Sequence, residues 1–183
     1  NINETDYYPL EGMSLDKITQ FFFDKNNIKY NERIVSSIVK KKKEIYLSKV
    51  NKIKLYPFVE KTLVKIKEKN FYLGLVTSSH SIQVNHSLPK KLIKLFDVII
   101  SGDVVTNNKP HPEPFLMASK KLNIGYDNCL VIENAPLGII SAKKAKMRCI
   151  AITNTNNRFI LKDADFIIDN FQDLFIQNLL EFK

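Results

Sequence analysis

The sequence predicts an α/β domain built on a doubly wound parallel sheet, with a small helical cap ahead of it. Three observations predict this. From residue 57 onward, helical and strand patterns alternate with short links, the order that winds a parallel sheet. The strand candidates are continuous apolar runs, as strands covered on both faces require. Oxygen- and nitrogen-bearing side chains follow those runs at the carboxyl ends of the strands, where such sheets bind ligands.

The first third reads as helical. Ser14 can cap a helix over residues 15–25, with Ile18, Phe21 and Phe22 on one face. Asn31 can cap a second helix running to about residue 48, whose apolar stripe is Ile34, Val35, Ile38, Val39, Ile45 and Tyr46. Four lysines at residues 40–43 interrupt that stripe and read as a solvated face, or as a lure for a phosphorylated substrate. Pro57 suits the first turn of a helix to about Lys69. "FYLGLVTSS" (71–79) reads as a strand ending in hydroxyls, followed by a helical stretch over 81–94. "FDVIISG" (96–102) is the next strand, and Pro112 opens a helix to about Leu122. "CLVIEN" (129–134) is a strand, "PLGIISAKKAKM" (136–147) a helix, and "RCIAITN" (148–154) and "DFIID" (165–169) strands. A last helix covers about 172–181.

Composition narrows the function classes. With 183 residues and 44% hydrophobic residues the chain can bury a core. No apolar run approaches the roughly 20 residues that span a bilayer, and the polar start "NINETDYYPLEG" is no secretory signal. The formal charge is +9, but 25 lysines stand against three arginines. Nucleic-acid readers lean on arginine forks and stacked aromatics, so the lysine excess reads as compositional bias and no nucleic-acid partner is expected. Cys129 and Cys149 lie in apolar runs and read as reduced core residues, consistent with a cytoplasmic chain. His80, His86 and His111 have no metal-ligand spacing and read as loop or surface residues.

The strand ends supply the site candidates: Thr77 and Ser78, then residues 103–109, then Glu133 and Asn134, then Asn154. Hydroxyls before a helix start form an anion site or an ordinary cap. Ser79 and His80 follow them and are candidate substrate contacts. Lys109 precedes three prolines within five residues, "KPHPEP", which stiffen the loop and hold the lysine in place. It can neutralise a phosphate as a compact charge. In "VIENAPLGI" a buried strand delivers an acid and an amide, Glu133 and Asn134, just before a helix. They can offer oxygens to Mg²⁺ or cap that helix.

Together these motifs resemble the haloacid dehalogenase superfamily, and within it the β-phosphoglucomutase-like phosphatase branch. "LVTSS" is similar to that family's second motif, "NKPHPEPF" to its third and "VIENAPLGIISAKKA" to its fourth. "GMSLDKI" resembles the start of the cap, so residues 1–52 are expected to be a partial helical cap and 53–183 the core. The resemblance implies Mg²⁺-dependent hydrolysis of a small phosphate monoester. Thr77, with Ser78, would bind the phosphoryl group, Lys109 would neutralise it, and Glu133 and Asn134 would hold the metal. It also implies a monomer.

Two departures stand out. Lys146 takes the place of a glycine that closes a helix in a left-handed conformation, at a cost on the order of 1 kcal/mol unless the helix ends differently. The family's first motif, a strand ending in Asp-x-Asp with the nucleophile, has no counterpart here. "DAD" (163–165) lacks an apolar run ahead of it. The missing strand belongs in mid-sheet, between those ending at Thr77 and Glu133, and the chain opens on Asn1. The expectation is therefore that the nucleophile lies upstream, outside these residues. Asn134 stands where many members carry a second acid, although some of the branch read "ENAP". The alternatives are a sugar-phosphate mutase, a catalytically inactive binding protein, and a dehalogenase.

Overall fold

The computed structural model describes residues 2–50, 53–178 and 180. The amino-terminal part is helical: α1 (Glu4–Tyr7), a 3₁₀ turn (Tyr8–Leu10), α2 (Leu15–Lys25) and α3 (Glu32–Lys49). Asn31 caps α3 as its sequence position predicts, Oδ1 accepting from the Ile34 amide at 3.0 Å. Ser14 occupies the cap position of α2 without a side-chain cap bond. Leu10, Ile18 and Phe22 bury themselves in a small apolar cluster of their own. The stripe expected along α3 is only partly covered. Val35 is buried, whereas Ile34, Ile38 and Ile45 stay exposed.

The remainder alternates: α4 (Val59–Glu68), β1 (Gly74–Val76), α5 (Ser81–Ser87), α6 (Lys90–Ile93), β2 (Val98–Ile100), α7 (Glu113–Leu122), β3 (Leu130–Glu133), α8 (Pro136–Lys144), β4 (Arg148–Ile152), β5 (Phe166–Ile168) and α9 (Asp173–Ile176). Every strand pairing is parallel. The doubly wound α/β class read from the sequence is the one observed. On β4, Cys149 and Ala151 face the cluster of Phe115, Ile139 and Ala142, while Ile150 and Ile152 face Ile168 and Leu174. Successive strand residues point to opposite faces. A strand covered on both must be apolar throughout, and this explains the uninterrupted runs in the sequence.

Several boundaries differ from the sequence reading. Pro57 lies in a turn ahead of α4, because Phe58 adopts a left-handed conformation (φ 65°) at the cap position. The stretch expected as one helix over 81–94 is two, divided where Leu88 is extended before Pro89, as a residue preceding proline favours. The run 71–79 contributes a strand of only three residues. The last helix covers Asp173–Ile176 rather than 172–181, and positions 179 and 181 lie outside the described residues.

The sheet is in two parts: β1 with β2, and β3 with β4 and β5. Their inner edges, β1 and β3, face each other without pairing among the described residues. This seam is where the sequence reading expects the strand that these residues lack, and it is where the site lies.

Candidate functional site

The carboxyl ends of β1 and β3 open on a cavity of about 440 Å³ lined by both strands and by the segment around Glu11. Thr77 follows β1 directly. Its amide continues the parallel ladder by donating to the Ile100 carbonyl at 2.9 Å, and its Oγ1 accepts from the Ser79 amide at 3.1 Å. The loop after β2 presses closely on this turn. A Cβ on Gly102 would lie 2.3 Å from the Ser78 carbonyl oxygen, so only glycine fits there. Asp103, in the same loop, accepts from the amide and hydroxyl of Ser81, both at 2.8 Å. Hydrogen bonds from Ser101 and Ser81 hold its carboxyl well below the ordinary range. It anchors the start of α5 and does not line the cavity.

Lys109 crosses the seam. It is buried, at 6% exposure. Its ammonium donates to Glu133 Oε2 at 2.8 Å and to the Val76 carbonyl at 3.4 Å, and lies 4.9 Å from the centre of the Phe115 ring. Glu133 is buried as well, and its other oxygen accepts from the Asn134 amide at 3.1 Å. Both charges are thus paired, as buried charges must be. Room for Glu133 comes from α8: a Cβ on Gly138 would lie 2.1 Å from Glu133 Oε2. The glycine in "VIENAPLGI" is there because a carboxylate lies against its Cα.

Thr77, Ser78, Ser79, Lys109, Glu133 and Asn134 all line the one cavity. His80 does not; its Nε2 meets the Lys43 ammonium at 2.9 Å, joining α3 to the start of α5. Three of the four lysines of the α3 run are engaged: Lys41 with Glu44, Lys42 with Tyr7 and Lys43 with His80. The Ser78 hydroxyl donates to the Gly12 carbonyl and so binds the amino-terminal segment. Asn154 lines a different hollow, with Arg158 and Phe159. His86 lies on α5, and its Nδ1 meets the Ile82 carbonyl. Cys149 is fully buried, and burial pushes its thiol up to about 12, which rules it out as a nucleophile near neutral pH.

The sequence reading missed Glu11, Gln83, Thr155 and Asn156. Glu11 and Gln83 line the cavity. Thr155 and Asn156 bind Glu11 from the loop after β4. Glu11 and Thr155 are 144 positions apart, a separation at which no local spacing pattern reports contact. Thr155 and Asn156 lie just beyond Asn154, so the strand-end rule pointed to the right loop and the wrong residue.

The donor set suits a hard divalent cation. Glu133 offers a carboxylate with lone pairs beyond its two bonds, and Asn134 offers an amide oxygen. Among the described residues no group of three or more His, Cys, Asp or Glu side chains comes together.

Residues 1–152 match the family model of the haloacid dehalogenase-like hydrolases, and the chain belongs to that family. It is 35% identical to the chloroplastic protein Suppressor of Quenching 1 of Arabidopsis thaliana over 75% of its own length and 14% of that protein's. It is 34% identical to a phosphoglycolate phosphatase of Salmonella choleraesuis over 66% of this chain and 49% of the phosphatase. The chain thus spans half or less of the length of these relatives. A solved β-phosphoglucomutase from Clostridium difficile superimposes with a TM-score of 0.84 at 29% identity, over 97% of this chain and 82% of that one.

Proposed function

We propose that the chain carries the cap and core of a Mg²⁺-dependent phosphatase that hydrolyses a small phosphate monoester, such as a sugar phosphate. One observation carries this reading: Thr77, Lys109 and Glu133 meet around a single cavity at the ends of two facing parallel strands. A fixed ammonium beside a hydroxyl and turn amides suits a dianionic phosphoryl group, and Lys109 would stabilise charge as it develops there. Thr77 and the amide of Ser78 would hold the phosphoryl oxygens. Glu133 and Asn134 would hold Mg²⁺, which when bound supplies Lewis-acid polarisation of the phosphoryl oxygens. The attacking group would be an aspartate outside these 183 residues, forming an aspartyl phosphate.

The separate cluster of Leu10, Ile18 and Phe22 supports reading residues 1–52 as a cap over a core of 53–183. The cap would close about residues 49–56, of which 51 and 52 lie outside the described residues. The identity with a phosphoglycolate phosphatase supports a small phosphorylated substrate. The likeness to a β-phosphoglucomutase favours a second reading, a sugar-phosphate mutase. Release of inorganic phosphate, rather than isomerisation of the sugar phosphate, decides for the first.

The test is phosphate release by the full natural chain from a panel of phosphate monoesters, with and without Mg²⁺. Lys109→Ala is expected to lower kcat/KM by about 10²–10³-fold. Unchanged turnover would remove Lys109 from the phosphate site and the reading with it.

A further inference from the structure

Glu11 follows the 3₁₀ turn on the cap side, yet it bonds to the core. One oxygen, Oε2, accepts from Thr155 Oγ1 at 3.1 Å and from Asn156 Nδ2 at 3.0 Å. Thr155 Oγ1 in turn accepts from Asn134 Nδ2 at 2.8 Å. Asn156 is buried, and its amide also reaches the Asn134 carbonyl at 3.0 Å. The directions in this chain are forced. An ionised carboxylate only accepts, so the single proton of the Thr155 hydroxyl goes to Glu11. Thr155 then has only lone pairs left for Asn134, and Asn134 must present its NH₂. The amide oxygen of Asn134 is thereby left for the cavity that Asn134 lines. The same segment is held one residue later, where the Gly12 carbonyl accepts from Ser78 Oγ.

We propose that Glu11 is a positioning residue for the cation site: through Thr155 it sets which face of the Asn134 amide meets the metal. The oxygen pair of Glu133 and Asn134 is then fully oriented only while the amino-terminal segment is seated on the core, so cation affinity and seating are coupled. This rests on the reading of Glu133 and Asn134 as cation donors. Outer partners of metal ligands act in this way, and their loss weakens metal binding by about 10–100-fold.

The test is a Mn²⁺ titration of the full natural chain, read by the electron paramagnetic resonance of free Mn²⁺, with thermal melts in chelator to check folding. Glu11→Ala is expected to raise the Mn²⁺ Kd at least about 10-fold. Thr155→Val, which keeps the shape and removes the relay, is expected to do the same. Glu11→Gln is expected to stay near wild type, because one amide oxygen can take both bonds that Oε2 takes. Wild-type affinity in both Glu11→Ala and Thr155→Val overturns the proposal, as does Glu11→Gln binding as weakly as Glu11→Ala. Glu133→Ala separates the two levels. If it too leaves Mn²⁺ binding intact, the cation-site reading itself fails. If it abolishes binding while Glu11→Ala does not, only the role of Glu11 fails.

Discussion

The two parts of the sheet are closed by the same device and backed by different cores. Beside β1 and β2, the Asp97 amide donates to the Leu73 carbonyl, the Leu73 amide donates to Asp97 Oδ2, and Lys67 at the end of α4 pairs with that carboxylate at 2.8 Å. Beside β4 and β5, the Asp165 amide donates to the Cys149 carbonyl, the Cys149 amide donates to Asp165 Oδ2, and Lys143 at the end of α8 pairs with it. Behind the second clip the sheet is dry: Cys149, Ile150, Ala151 and Ile168 are at most 1% exposed. Behind the first, only Ile100 among the strand residues is buried, and Phe71 and Tyr72 at the entry to β1 are exposed. An identical local clip therefore carries a larger share of the order in the β1–β2 part. That part ends in Thr77, the residue proposed to grip phosphate.

The largest expected effect tests where stability resides. Ile150→Ala should cost about 2–5 kcal/mol, as deletion of a fully buried aliphatic side chain does. Val98→Ala, on a half-buried β2 position, should cost about 1 kcal/mol. Urea denaturation of the two variants measures both. Equal costs would break the comparison, because the β1–β2 part would then be as tightly packed as its counterpart.

A smaller effect separates the clips by pH. Burial pushes both carboxyls up, but the lysine and backbone bonds outweigh it, and Asp97 and Asp165 both lie below the ordinary range. A depressed carboxyl contributes stability that is present above the unfolded value, about pH 4, and lost as pH falls through the folded value. Wild type should therefore weaken below about pH 4, and Asp165→Asn should flatten that slope and cost about 1 kcal/mol at pH 7, given partial exposure. Asp97→Asn should act locally instead, speeding hydrogen exchange at Leu75 and Ile99 with little change in the global midpoint. Global loss in both variants would mean that the two parts unfold as one unit.

Strand existence was legible in the sequence because a strand covered on both faces cannot hide its apolar run. Strand length was less so, since the apolar run of "FYLGLVTSS" begins at Phe71, three residues before its pairing with β2 starts at Gly74. The convergence of Thr77, Lys109, Glu133 and Asn134 followed from one topological rule, that parallel strands deliver their carboxyl ends to the same edge. Glu11 and Thr155 obey no such rule. They meet because the segment before α2 folds back over the core, a tertiary event with no periodic trace. The clips were equally hidden: Asp97 and Asp165 fall inside the strands read at 96–102 and 165–169, and nothing in those runs shows the bonds that each makes to the neighbouring strand.

The smallest expected effect lies at the helix ends that feed the strands. Three helices that lead into strands close with the next residues in one geometry. After α4, Asn70 (φ 62°) and Phe71 bond back to Lys67 and Ile66. After α7, Asn123 (φ 55°) and Ile124 bond back to Lys120 and Ser119. After α8, Lys146 (φ 59°) and Met147 bond back to Lys143 and Ala142. The paired bonds are those of a left-handed helix stop. So Lys146 does adopt the strained conformation that its sequence position suggested. Asparagine takes up that conformation readily, lysine only at a cost. The better-packed part of the sheet thus holds the more strained stop, consistent with buried Met147 and Cys149 over-determining the turn. Lys146→Gly should therefore stabilise the protein by about 0.5–1 kcal/mol, the relieved strain less the added freedom of the unfolded chain. Asn70→Gly should be nearly neutral. Urea midpoints of the two variants test the pair. A loss of stability in Lys146→Gly would mean that the lysine side chain itself compensates the turn, and the strain would then be no guide to where the fold is over-determined.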